Sequence, residues 1–186
     1  MQQKKLSYLA LMVSAVTLFL ASITATADTG AEIDRDVDNA IQKLYARSSA
    51  AKELSTIAKA ILVFPKIVKG GLIIGGQYGE GALRVGGKTQ GYYSTAAASY
   101  GLQAGVQSFG YAMLFMTDKA LDHMKKSKGW EVGVGPSVVV VDQGMARSLT
   151  TTTAKEGIYV FFFDQKGLMA GLGIQGSKIE KIEPDK

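Results

Sequence analysis

The chain has 186 residues, 47% of them hydrophobic and 20% charged, with a formal net charge of +5. That length suits one domain, and the apolar fraction supports a real core, which excludes wholesale disorder. With no cysteine there is no disulfide framework, thiol nucleophile, zinc ribbon or cysteine-ligated iron–sulfur cluster.

At the start, Lys4 and Lys5 precede an apolar run over residues 6–20, and Ala25-Thr26-Ala27 supplies small residues at a cleavage spacing. The pattern is that of a secretory signal peptide, with a membrane anchor as the competing reading. No cysteine follows the cleavage site, so a lipoprotein anchor is excluded. Cleavage near Ala27 would leave residues 28–186, with a net charge of +3, exported to the periplasm or cell envelope.

Residues 31–61 contain neither Gly nor Pro. Ile33, Val37, Ile41, Leu44 and Tyr45 fall on one face of an amphipathic helix. Ser48-Ser49 offers a break and an N-cap for a second helix through Leu54, Ile57 and Ile61, closed by Pro65. A helical lead-in over 28–65 is therefore expected.

The texture changes at Gly70. Glycine numbers 22, about 12% of the chain against a usual level of about 7%, and only Gly30 precedes residue 70. No G-X-Y period exists, so collagen is excluded. Leu72-Ile73-Ile74, Val138-Val139-Val140-Val141 and residues 158–163 read as strands, the uninterrupted runs as strands covered on both faces. Gly86-Gly87-Lys88 and Asp164-Gln165-Lys166-Gly167 read as hairpin turns. A helix near 118–127 interrupts them, capped by Thr117-Asp118, with Ala120, Leu121 and Met124 as its buried face.

Residues of equal parity share a strand face. Gly71, Gly75, Gly79 and Gly81 share one parity, as do Gly101 with Gly105, Gly133 with Gly135, and Gly171 with Gly173. Faces stripped of side chains allow strong coiling. The rival, a transmembrane glycine zipper, is interrupted by Gln77, Glu80 and Arg84. The expected fold is α+β: a strongly curved, largely antiparallel, barrel-like sheet with two N-terminal helices and one inserted helix, as a single domain over 28–186.

Several motifs look chemical and are better read as structural. Residues 171–176 spell G-x-G-x-x-G, but too little chain remains for the helix and acidic residue of a dinucleotide site. Asp34-Arg35-Asp36-Val37-Asp38-Asn39 starts like a calcium loop, yet Asn39 and Tyr45 stand where Gly and Glu belong. His123 is the sole histidine, expected to be solvent-exposed, and no serine has a G-x-S-x-G setting. Trp130 and Tyr92-Tyr93 read as core or interface aromatics. No pattern carries catalysis, a metal or a cofactor.

The charge is localised. Six basic residues, Lys43, Arg47, Lys52, Lys59, Lys66 and Lys69, face one acid, Glu53. On charge alone such a stretch reads first as a solvated helix face packed on the sheet. Its second reading is a membrane-surface contact, with lysines at anionic headgroups. Nucleic acid is disfavoured by export and the modest charge.

Residues 58–66 and 70–83, together with Gly91-Tyr92-Tyr93-Ser94, residues 99–105, 129–133 and 167–171, resemble the SYLF domain family. The likeness runs from about Ile33 to Lys181. It implies a non-enzymatic lipid-binding module, whose eukaryotic members meet phosphoinositide membranes through a basic N-terminal part and in some cases bind actin. The matching positions here are Lys52, Lys59, Lys66 and Lys69. The implied partner of an exported member is an anionic membrane lipid. Two other classes stay open: an envelope scaffold that binds another protein or itself, and a carrier of one hydrophobic molecule.

Overall fold

The computed structural model describes residues 28–71, 74–100, 105–166 and 173–185. The segment read as a signal peptide lies outside them, as do Leu72-Ile73, Gly101, Gly167 and Gly171. Helix α1, Gly30–Arg47, starts from a capping box: the Thr29 hydroxyl accepts the Glu32 N–H, and the Glu32 carboxylate accepts the Thr29 N–H at 2.9 Å. These bonds hold the Glu32 carboxyl below its ordinary range. The helix buries Ile33, Val37, Ala40 and Leu44. Ser48 caps α2, Ser49–Ser55, through the Ala51 N–H at 3.1 Å.

The lead-in ends there, ten positions short of the expected limit at Pro65. Ile57 is exposed in the following turn, and Ile61 lies in strand β1, Ala60–Gly71. The reason is burial on both sides. Leu62 and Phe64 enter one core and Val63 the other, which a helix with one apolar face cannot satisfy.

The remaining elements follow as β2 (Ile74–Val85), β3 (Lys88–Tyr100), β4 (Gly105–Phe115), α3 (Asp118–Lys126), β5 (Trp130–Glu131), β6 (Val138–Val140), α4 (Gln143–Ala146), β7 (Ile158–Lys166) and β8 (Lys178–Ile182). The fold is α+β, with one eight-stranded sheet ordered β5-β8-β3-β2-β1-β4-β7-β6. All pairings are antiparallel except β6 with β7. The Gly86-Gly87 turn between β2 and β3 has φ of 56° and 79°, the left-handed pair that a tight hairpin requires. Helix α3 is capped by the Thr117 side chain and buries Ala120, Leu121 and Met124, as its spacing predicts.

The curl of the sheet can be read from one bond. The Tyr111 hydroxyl on β4 donates to the Thr95 hydroxyl on β3 at 2.9 Å, although β1 and β2 lie between these strands. Three strand spacings in a flat sheet span about 14 Å, further than the two side chains reach. The face carrying Tyr111 and Thr95 is therefore concave. It holds Leu62, Phe64, Ile67, Phe109, Met113 and Phe115, with α3 and Trp130 packed inside. Helices α1 and α2 cover the convex face over Val63, Ala82, Ala112, Leu114, Tyr159 and Phe161.

Two bulges sharpen the bend. Register on β1 slips between Phe64 and Ile67 against β4, around Pro65, which has no N–H to give a ladder. Register on β7 slips around Asp164, whose φ is +50°. Glycine lets the strands approach: a Cβ on Gly81 would overlap the Val63 carbonyl, and one on Gly110 would meet the Phe163 ring and the Pro65 carbonyl.

Some strand and turn expectations change. Residues 138–140 form a short, partly exposed parallel edge strand, because chain covers only one of their sides. Asp164-Gln165-Lys166 end β7 instead of turning, since the bulge at Asp164 absorbs the bend. Gly133 and Gly135 sit in turns, with φ of 105° and 97°.

Candidate functional site

The six basic residues predicted to act together occupy three places. Lys43 and Arg47 project from the last turns of α1 onto the bulged Asp164, at 3.3 and 2.6 Å. Partial desolvation pushes the Asp164 carboxyl up, but the Lys43 and Arg47 charges and hydrogen bonds outweigh it and hold the group below its ordinary range. Lys66 joins Lys43 and Asp164 along a shallow cleft with Asp36, Asn39 and Pro65. Lys52 stands exposed on α2. Lys59, between α2 and β1, pairs with Asp118 at 3.4 Å. Lys69 lies on the other face of the sheet. No single helix presents all six, because the chain from Ala60 onward is a strand that turns alternate residues to opposite faces.

Beyond α1, no element of the described residues covers the convex face of the sheet. Val68 on β1 lies opposite Tyr78 on β2, and Gly70 opposite both Gly76 and Val106. Ile74 continues the same face. Val68, Ile74, Tyr78 and Val106 are 45%, 70%, 51% and 71% exposed, next to Ala96 and Ala98. This end of the sheet thus carries four large apolar side chains in water, while Lys66 lies two residues before Val68 on the same face. The Tyr78 hydroxyl donates to Glu80 at 2.6 Å; desolvation and then this bond push the phenol up to about 12. Sequence reading missed this patch. Its signal was present in the glycine parity: when Gly75 and Gly79 share one face, Ile74 and Tyr78 must share the other.

Arg84 fixes α1 to the sheet. Its guanidinium is nearly buried and donates to the Asp38 carboxylate at 2.7 Å, the Asp34 carbonyl at 3.1 Å and the Thr89 hydroxyl. Thr89 and Tyr92 hydroxyls donate in turn to the Asp34 carboxylate at 2.7 and 3.0 Å. The acidic run that begins like a calcium loop is helical and engaged in this network.

His123 is half-buried instead of solvent-exposed. Its ring meets the Trp130 indole edge-on at 6.4 Å, and Gly135 leaves room for it. The Trp130 indole N–H donates to the Val134 carbonyl at 2.9 Å, closing the turn that holds the ring. Among the described residues there is no group of three metal-ligating side chains, and no helix is long and apolar enough to cross a membrane. After residues 173–176 the chain enters β8, not a helix, so the glycine motif there has no dinucleotide geometry.

Residues 96–183 match the family model Ysc84, described as Las17-binding protein actin regulator. The match begins within β3 and includes β4, α3, β7 and β8. No curated protein matches the chain.

Proposed function

We propose, from the match of residues 96–183 to the Ysc84 family model and the resemblance to the SYLF family, a non-enzymatic protein that docks on anionic phospholipid surfaces of the cell envelope. The observation that carries this reading is the uncovered convex end of the sheet. Val68, Ile74, Tyr78 and Val106 provide apolar side chains for the headgroup–acyl boundary, and Lys66, with Lys43 and Arg47 behind it, provides cations for the headgroups. Each basic residue near an anionic leaflet contributes about 1 kcal/mol, screened by salt. Lys52 and Lys59 stand apart and would steer rather than seat the protein. In this reading the chain is exported after cleavage near Ala27.

Co-sedimentation of residues 28–186 with neutral and anionic vesicles across a salt series tests the proposal. Anionic preference that fades with salt, and a loss of about tenfold in Val106→Asp or in the Lys43→Glu/Lys66→Glu pair, is the expected result. Equal binding to both vesicle types, or binding unchanged in these variants, would sink it. The family description favours a second reading, an envelope scaffold whose sheet end docks a protein partner. Recovery of one stoichiometric envelope protein, lost in Val106→Asp without any vesicle binding, would support that instead.

A further inference from the structure

The concave face carries a polar row that the membrane reading does not use. Lys69 on β1 lies directly opposite Gln77 on β2 and opposite Gln107 on β4. All three lie on the Ile67 side of the sheet, away from α1. Gln107 is 1% exposed, yet among the described residues neither its amide nitrogen nor its amide oxygen has a hydrogen-bond partner. Gln77 is held by the buried Ser177, donating to its hydroxyl at 3.1 Å. Lys69 is half-buried and has no ion-pair partner among the described residues. The next row toward the sheet end is Gly75, Gly71 and Gly105. That row puts no side chain beside Lys69 and its flanking amides.

A buried amide with both functions unpaired is a costly feature in a sheet. Its chemistry defines what would satisfy it. The amide N–H needs an acceptor, the amide oxygen needs a hydroxyl donor, and the adjacent ammonium needs a negative charge. A carboxylate alone supplies no donor, and an apolar lipid chain supplies neither. We infer that the Lys69–Gln77–Gln107 row seats a phosphate ester bearing a neighbouring hydroxyl, of the glycerol-phosphate type. Lys69 and the Gln107 N–H hold the phosphate oxygens, and the Gln107 carbonyl takes the hydroxyl. The site lies on the face opposite the proposed membrane patch and does not rest on that reading. The ligand can be a free glycerol phosphate or the headgroup of a glycerophospholipid.

The test uses residues 28–186, titrated calorimetrically with sn-glycerol 3-phosphate and, separately, with phosphatidylglycerol vesicles, while the side-chain amide resonance of Gln107 is followed. Saturable binding that moves this resonance and weakens at least tenfold in Lys69→Met and in Gln107→Met is expected. Binding of the free compound identifies a soluble ligand; binding of vesicles alone, with the same dependence on Lys69, identifies a headgroup. Gln107→Met should melt no lower than the parent, because an unsatisfied polar group is replaced by an apolar one. Lys69→Met, on a half-exposed residue, keeps the test available if that variant does not fold. Val106→Asp should leave glycerol phosphate binding intact even where vesicle docking is lost. Absence of saturable binding to either probe, or affinity within twofold of the parent in Lys69→Met, would overturn the inference.

Discussion

Arg84 and Asp38 meet at 2.7 Å across the seam between helix α1 and strand β2, with the guanidinium nearly buried and the carboxylate mostly exposed. The asymmetry sets the cost of losing each partner. Arg84→Leu removes donors from Asp34, Asp38 and Thr89 together and should lower unfolding free energy by about 2 kcal/mol, on the scale of hydrogen bonds to charged groups. Asp38→Asn, whose water-exposed partner position is readily resolvated, should cost under about 1 kcal/mol. Urea unfolding of both variants measures the difference. Equal losses would show that Arg84 acts through packing alone.

Tyr111→Phe deletes a single hydroxyl at the centre of the curl. Thr95 is fully buried, so its hydroxyl loses its Tyr111 partner without gaining water. A loss of about 1–2 kcal/mol is expected. Thermal unfolding followed by the fluorescence of Trp130, the sole tryptophan, gives a direct readout. A variant as stable as the parent would mean that the bond does not hold the curvature.

Two glycines on β2 should respond in opposite ways to alanine. Gly81→Ala would drive a methyl into the Val63 carbonyl and cost about 3 kcal/mol, within the upper range of overpacking. Gly76→Ala meets the Ala97 carbonyl at 3.7 Å, an ordinary contact on the uncovered face, and should be neutral or stabilise by up to about 1 kcal/mol. Parallel thermal melts of the two variants test the contrast.

Asp164 gives a pH dependence whose sign is fixed. Its folded carboxyl titrates below the unfolded one, so the stability it adds is present above the ordinary carboxylate value of 3.8 and is lost as pH falls below it. Asp164→Asn should therefore lower stability at neutral pH by up to about 1 kcal/mol, since Lys43 and Arg47 are largely exposed, and flatten the acid limb of the stability profile. An unchanged acid limb would refute the assignment.

The architecture was legible where a local rule has only one solution. The Thr117 cap and the Ala120, Leu121, Met124 stripe define α3 residue by residue, and Gly86-Gly87 marks its hairpin. The curvature followed from glycine parity on β2. The limit of the helical lead-in was not legible, because Ile57 and Ile61 also continue a helical period. Only burial on two faces, a tertiary fact, decides for a strand at Ile61. The basic residues were read as one group because they are close in sequence. Strand alternation sends Lys66 and Lys69 to opposite faces once the bulge at Pro65 is passed; the proline is the signal of that bulge, and in the sequence it reads as the end of a helix. Unpaired amides such as that of Gln107 are likewise invisible until the strands are in register.

A sheet that curls without closing has two open margins, and open margins invite other chains to add strands. Here both are blunted. The terminal strands β5 and β6 have only two and three residues. Past β6, the margin of β7 is broken by the left-handed bulge at Asp164, and past β5, the margin of β8 carries Glu180 and Lys181. Strand addition is thereby discouraged along the described edges. These edges leave the faces of the sheet as its more accessible surfaces for association.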